Sequence, residues 1–162
     1  MTRIAVTGHM DLTAESTPLI RDQISAVLLS QEGPIVGVSC IARGADSLFA
    51  ETVLAHGGTL EVVLPSADYR ATKVTESHAA LFDELMAAAT SVHVMPSQTA
   101  DRAAYEAANR ALLDGADLLA AVWDGDASRR GGTGTVVDEA RTAGIPVTVI
   151  WPDGARRQPK AS

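Results

Sequence analysis

Six short apolar runs punctuate the chain, at 4–6, 35–38, 60–64, 92–95, 118–122 and 147–150. Each is nearly continuous rather than alternating, the pattern of strands covered on both faces of a parallel sheet. The stretches between them carry helical spacing instead. Residues 12–30 place Leu19, Ile20, Ile24, Val27 and Leu28 along one face, and 45–55 do the same with Leu48, Phe49, Val53 and Leu54. Helices are also predicted over 73–89, 100–113 and 135–143. Gly57-Gly58 and Gly144 supply stop signals after the second and the last helix. Strands that alternate with helices imply right-handed crossovers. The predicted fold class is therefore α/β, a Rossmann-like three-layer α/β/α sandwich with a mainly parallel, doubly wound sheet.

No repeat and no linker divides this pattern, so residues 1–152 read as a single domain. The segment 153–162 is polar, with Arg156, Arg157 and Lys160, and is expected to fray. The longest irregular stretch, 65–74, reads either as a lid or as a plain surface loop.

Composition narrows the functional classes. A chain of 162 residues supports one core, and with aromatics at 4% that core must be built from Ala, Val, Leu and Ile. A net charge of -7 argues against nucleic acid as a partner, because backbone binding needs a basic field to displace counterions. Cys40 has no second cysteine to pair with, which fits a reducing compartment. No apolar stretch reaches the length of a signal-peptide core or a membrane span. The expectation is a soluble, cytoplasmic protein with no membrane partner. His9, His56, His78 and His93 lack metal-ligand spacing, so no metal is predicted, and no cofactor is called for.

Ligands of open α/β sheets sit beyond the carboxyl ends of the strands, so the residues after each apolar run carry the candidate chemistry. After the first run, Gly8 allows a sharp turn that exposes backbone N–H groups to an anion, or simply closes a tight turn; His9 follows as a ligand contact or a loop residue. After the second run come Ser39, Cys40, Arg43, Gly44 and Asp46. An Arg-Gly pair at a helix start suits a phosphate, since the guanidinium attracts it and the helix amides complete the site. Asp46 orients Arg43, accepts from a ribose hydroxyl, or caps the helix. Cys40 reads as a small apolar residue. After the fifth run come Asp124 and then Gly131, Gly132, Thr133, Gly134 and Thr135. Three glycines in four residues ahead of a helix bring bare amides against a phosphate. Neither a Walker A loop nor the G-x-G-x-x-G spacing is present. Asp138 and Glu139 lie in the first turns of that helix, where they suit the helix dipole or face a ligand. Asn109 and Arg110 sit on the preceding helix, at the rim of the site or on a solvated face.

Taken together, these segments resemble the SLOG superfamily of Rossmann-like nucleotide-binding proteins, which includes YpsA-like proteins, DNA-processing protein A and the LOG phosphoribohydrolases. The likeness is carried by Val6-Thr7-Gly8, Ala42-Arg43-Gly44-Ala45-Asp46, Asn109-Arg110 and Gly131-Gly132-Thr133-Gly134-Thr135, in an order covering residues 3–151. It implies glycine loops facing a nucleotide-derived ligand. In the LOG enzymes a G-G-x-G-T-x-x-E motif supplies a catalytic glutamate and the preceding helix an arginine. In this sequence the glutamate position is Asp138, with Glu139 next to it. The arginine position falls on Ala108, beside Asn109 and Arg110, and Arg130 stands where the family places a proline. The resemblance thus implies a nucleotide-binding protein of sensor or carrier type. The alternative is a LOG-like hydrolase that releases base from a nucleoside 5'-monophosphate, with Asp138 or Glu139 as the catalytic carboxylate. The small-residue face of 79–89 offers a surface for a homodimer.

Overall fold

The computed structural model describes residues 1–127 and 132–159. The elements in chain order are β1 (Thr2–Gly8), α1 (Ser16–Leu29), β2 (Ile35–Ser39), α2 (Ala45–Ala55), β3 (Thr59–Leu64), α3 (Tyr69–Lys73), α4 (Glu76–Ala88), β4 (Ser91–Val94), α5 (Arg102–Leu113), β5 (Leu118–Val122), α6 (Thr133–Thr142) and β6 (Val147–Ile150). All strand pairings are parallel, in the order β4-β3-β2-β1-β5-β6. The predicted Rossmann-like sandwich is the fold observed.

Successive side chains of a strand point to opposite faces, and the core divides accordingly. Ile4 and Val6 of β1 join Ile20, Ile24, Phe49 and Val53 under α1 and α2. Ala5, between them, joins Val136, Val137 and Ala140 of α6 and Leu112 of α5 on the other side. A third cluster packs Phe82 and Leu85 of α4 with Tyr69 against Leu60, Val62 and Leu64 of β3. The continuous apolar runs of β1 and β5 are thus explained, since both of their faces lie under helices.

Three expectations differ from the structure. The fourth run does not form a doubly covered strand. β4 pairs only with β3 at the sheet edge, and Val92 and Val94 are 40% and 44% exposed. The first helix starts at Ser16 rather than residue 12, because Leu12 is drawn into an antiparallel bridge with Arg157. The same bridge shows that part of the segment expected to fray is held: residues 156–158 are fastened across the β1–α1 loop, and 160–162 lie outside the described residues. The 65–74 stretch, which the sequence reads either as a lid or as a plain surface loop, is anchored at its start. It contains α3, and Asp68 Oδ1 accepts from Ser66 Oγ at 2.6 Å and from the Ala100 N–H at 3.0 Å.

Among the described residues, no helix is long and apolar enough to cross a membrane, and no cluster of three or more His, Cys, Asp or Glu side chains is placed to hold a metal ion.

Candidate functional site

β1 lies between β2 and β5. The chain leaves β1 toward β2, β3 and β4, then crosses back to the other side of β1 for β5 and β6. The loops after β1 and β5 therefore diverge, and a crevice opens where the strand order reverses. A cleft of about 460 Å³ occupies this crevice. It is lined by Gly8 and His9 after β1, Arg43 after β2, Asn109 from α5, and Gly132, Thr133 and Gly134 at the start of α6.

The loop after β2, which presents Arg43, is held by buried hydrogen bonds. Ser39 Oγ accepts from the Ile41 N–H at 3.0 Å and donates to the Asp46 carbonyl at 3.0 Å. Ile41 has a φ of +47°, a left-handed conformation costly for a β-branched residue. Its carbonyl lies 3.0 Å from His78 Nε2, which is also 3.3 Å from Ser47 Oγ. His78, from α4, thus stabilises the strained turn. His78→Ala removes one of two donors to the Ile41 carbonyl, Ser47 Oγ remaining at 3.2 Å, a cost of about 0.5–1.5 kcal/mol. A urea midpoint lowered accordingly, with an unchanged slope, is the expected result; an unchanged midpoint would show that the turn does not depend on His78. Ser39 and Asp46 are therefore placed behind the cleft, not in its lining. Gly44 forms the N-cap of α2 and lies against the β1–α1 loop.

At the carboxyl ends of β1 and β5, His9 joins the two strands. Its N–H donates to the Val122 carbonyl at 3.1 Å, and its Nε2 accepts from the Asp124 N–H at 3.1 Å. Burial above all, then the nearby Arg157 charge, holds the imidazole below its ordinary range, so it is neutral at pH 7. A neutral ring that accepts at Nε2 carries its proton on Nδ1. Asp124 stands beside it, with Oδ1 at 3.2 Å from Nε2.

α6 begins at Thr133 with Gly132 as its N-cap, no acidic residue in its first turn and no described side chain capping it. Its N-terminal end faces the cleft, giving the cleft the positive pole of a helix. Trp123 and Tyr105 line the cleft as well. The Trp123 indole N–H donates to the Asp126 carbonyl at 3.2 Å.

The remaining predicted residues lie elsewhere. Arg110, Thr135, Asp138 and Glu139 line a separate groove of about 1150 Å³ between α5 and α6. Asn109 and Arg110, adjacent in sequence, point to different cavities because neighbours on a helix are about 100° apart. Gly131, Arg129 and Arg130 lie outside the described residues.

Sequence reasoning passed over Asp11, Trp123, Tyr105 and Arg157. Trp123 carried a readable signal, since it directly follows β5. Arg157 carried none, because its place depends on a contact 146 positions away.

No protein-family model and no curated protein sequence matches the chain. Solved structures do. DNA processing protein A from Streptococcus pneumoniae superposes with a TM-score of 0.65 at 16% identity, over 92% of this chain and 50% of that one. The Helicobacter pylori DNA processing protein A, described by its single-stranded DNA binding mode, gives 0.66 at 17% over 91% and 64%. The Moco carrier protein from Chlamydomonas reinhardtii gives 0.54 at 21% over 92% and 75%. The chain spans half the length of the first and 64% of the second. Identities at this level speak for shared architecture alone, and this chain has the Rossmann-like α/β fold that these proteins share.

Proposed function

We propose that the cleft between the β1 and β5 ends binds a small phosphate-bearing ligand of nucleotide type, and that the protein acts as a sensor or carrier of it in the cytoplasm. One observation carries this reading: the α6 N-terminus and the Arg43 side chain converge on a single cleft at the strand-order switch. Arg43 forms no ion pair among the described residues, so its charge is available to a ligand. The flat faces of Trp123 and Tyr105 suit a base or another planar group. Asp138 and Glu139 lie outside this lining, which supports binding over base release.

The test is calorimetry with nucleoside 5'-monophosphates and the matching nucleosides. The nucleotides are expected to bind at least tenfold more tightly than the nucleosides. Arg43→Gln is expected to weaken nucleotides about tenfold and to leave nucleosides unchanged, as loss of one charge-assisted hydrogen bond requires. Equal affinity for both classes would overturn the phosphate reading. Free base appearing on prolonged incubation would favour the hydrolase, and tighter binding of a single-stranded oligonucleotide would favour nucleic acid. Sedimentation of the same samples reads the homodimer we place on the exposed Ala80, Ala87 and Ala88 of α4.

A further inference from the structure

Residues 156–158 form a strap across the start of the chain. The Gln158 N–H donates to the Asp11 carbonyl at 2.6 Å, and the Gln158 side-chain amide donates to the Leu12 carbonyl at 3.1 Å. The Thr13 N–H donates to the Arg156 carbonyl at 3.1 Å, and Ser16 Oγ accepts from the Arg156 N–H at 2.7 Å. These four main-chain and side-chain anchors leave Arg157 little freedom. The strap delivers its guanidinium into the cleft already described, where Nε lies 2.9 and 3.1 Å from the two Asp11 oxygens. Nη1 reaches toward Asp124 Oδ2 at 3.6 Å.

The charges facing this corner are Asp11, Asp124, Asp126, Arg157 and Arg43, with His9 neutral beside them. Near Arg157, two carboxylates face one guanidinium. Each ionised carboxylate oxygen has two lone pairs, so the Asp11 group keeps acceptor capacity after Arg157 has donated. Such a corner repels a phosphate and receives hydroxyl groups. The α6 N-terminus and Arg43 offer the reverse within the same cleft. Arg157 also opposes loss of the Asp11 charge: burial works against the ionised carboxyl, but the bond and field of Arg157 outweigh it, and Asp11 titrates below its ordinary range.

We propose that Arg157 is a positioning residue that fixes the Asp11 carboxylate in the cleft as the acceptor for a ligand hydroxyl, so that the cleft prefers a phosphorylated sugar to inorganic phosphate. The proposal rests on the phosphate reading of the cleft given above.

The test compares ribose 5-phosphate with inorganic phosphate by calorimetry, on wild type, Asp11→Ala, Arg157→Gln and Arg157→Lys. The readout is the ratio of the two affinities within each protein. A general loosening of the fold lowers both affinities and leaves the ratio in place. Wild type is expected to prefer ribose 5-phosphate at least tenfold. Asp11→Ala and Arg157→Gln are expected to reduce that preference to threefold or less. Arg157→Lys keeps a cation on the strap and is expected to retain more than half of it. A wild type that binds phosphate without the preference overturns the proposal alone, as does a preference untouched by Asp11→Ala or by Arg157→Gln. A wild type that binds neither probe overturns the phosphate reading and the proposal together.

Discussion

Gly44→Ala is expected to lower the melting midpoint by roughly 10 °C, from a loss of about 3–5 kcal/mol at ~2–4 °C per kcal/mol for a chain of this size. Gly44 has φ +82° and ψ -129°, a region in effect reserved for glycine. Strain of that kind costs about 1–3 kcal/mol. A Cβ at this position also lies 2.6 Å from the His9 carbonyl oxygen and 2.7 Å from that of Met10. Both are backbone atoms, so relief requires moving the whole β1–α1 loop, at an overpacking cost of about 1–3 kcal/mol. The functional consequence follows from the same contact. The Ala45 N–H donates to the His9 carbonyl at 3.1 Å, so Gly44 is where the loops after β1 and β2 touch. Separating them moves His9 and Arg43 apart, and nucleotide affinity is expected to fall more than tenfold even at a temperature where the variant is folded. Gly57→Ala is the control. It too has a positive φ, at +79°, but nothing lies within 4 Å of its added Cβ, so only the backbone term applies. A melting midpoint for Gly44→Ala equal to that of Gly57→Ala would refute the close-approach argument.

The same loop contacts explain what was legible in the sequence. The doubly wound fold could be read because burial on both faces leaves a continuous apolar run, as at Leu118–Val122, whose odd and even residues enter different cores. The cleft could be read in outline because Gly8, Arg43 and Gly132–Gly134 each follow such a run. β4 was misread because an edge strand and a central strand both appear as a short apolar run, and only its pairing partners distinguish them. Arg110, Asp138 and Glu139 could not be separated from the cleft residues by position along the chain. A helix start aims its first residues at a ligand but turns by about 100° per residue, so Thr133 and Gly134 line the cleft while Thr135, Asp138 and Glu139 line the outer groove. Arg157 lay in a polar segment with no periodicity, and its fixed place comes from hydrogen bonds to residues 11–16 that local pattern does not encode.

Asp46 shows a buried charge acting against the fold, and its removal carries the second large effect. Burial above all pushes its carboxyl from 3.8 up to about 7, although a backbone hydrogen bond at Ala42 favours the charged form. Between these two values the folded chain binds a proton that the unfolded chain has released. Stability from this residue is therefore greatest near pH 4, falls as pH rises, and is lost above about pH 7. A shift of about three units corresponds to ~4 kcal/mol at ~1.4 kcal/mol per unit. The side chain keeps some contact with solvent, which screens part of this and leaves roughly 2 kcal/mol. Asp46→Asn keeps the shape and an acceptor oxygen but does not titrate. At pH 8 the variant is expected to be about 2 kcal/mol more stable than wild type, with a melting midpoint roughly 4–8 °C higher. At pH 4 the two are expected to coincide, since wild type is then protonated when folded. The measurement is the difference in melting midpoint between variant and wild type across pH 4 to 8. A difference that climbs with pH locates the cost in the buried charge. A flat difference, or one that favours wild type at pH 8, would show that Asp46 is stabilising as an anion at the start of α2, where the helix dipole and the Ala42 amide together outweigh its burial.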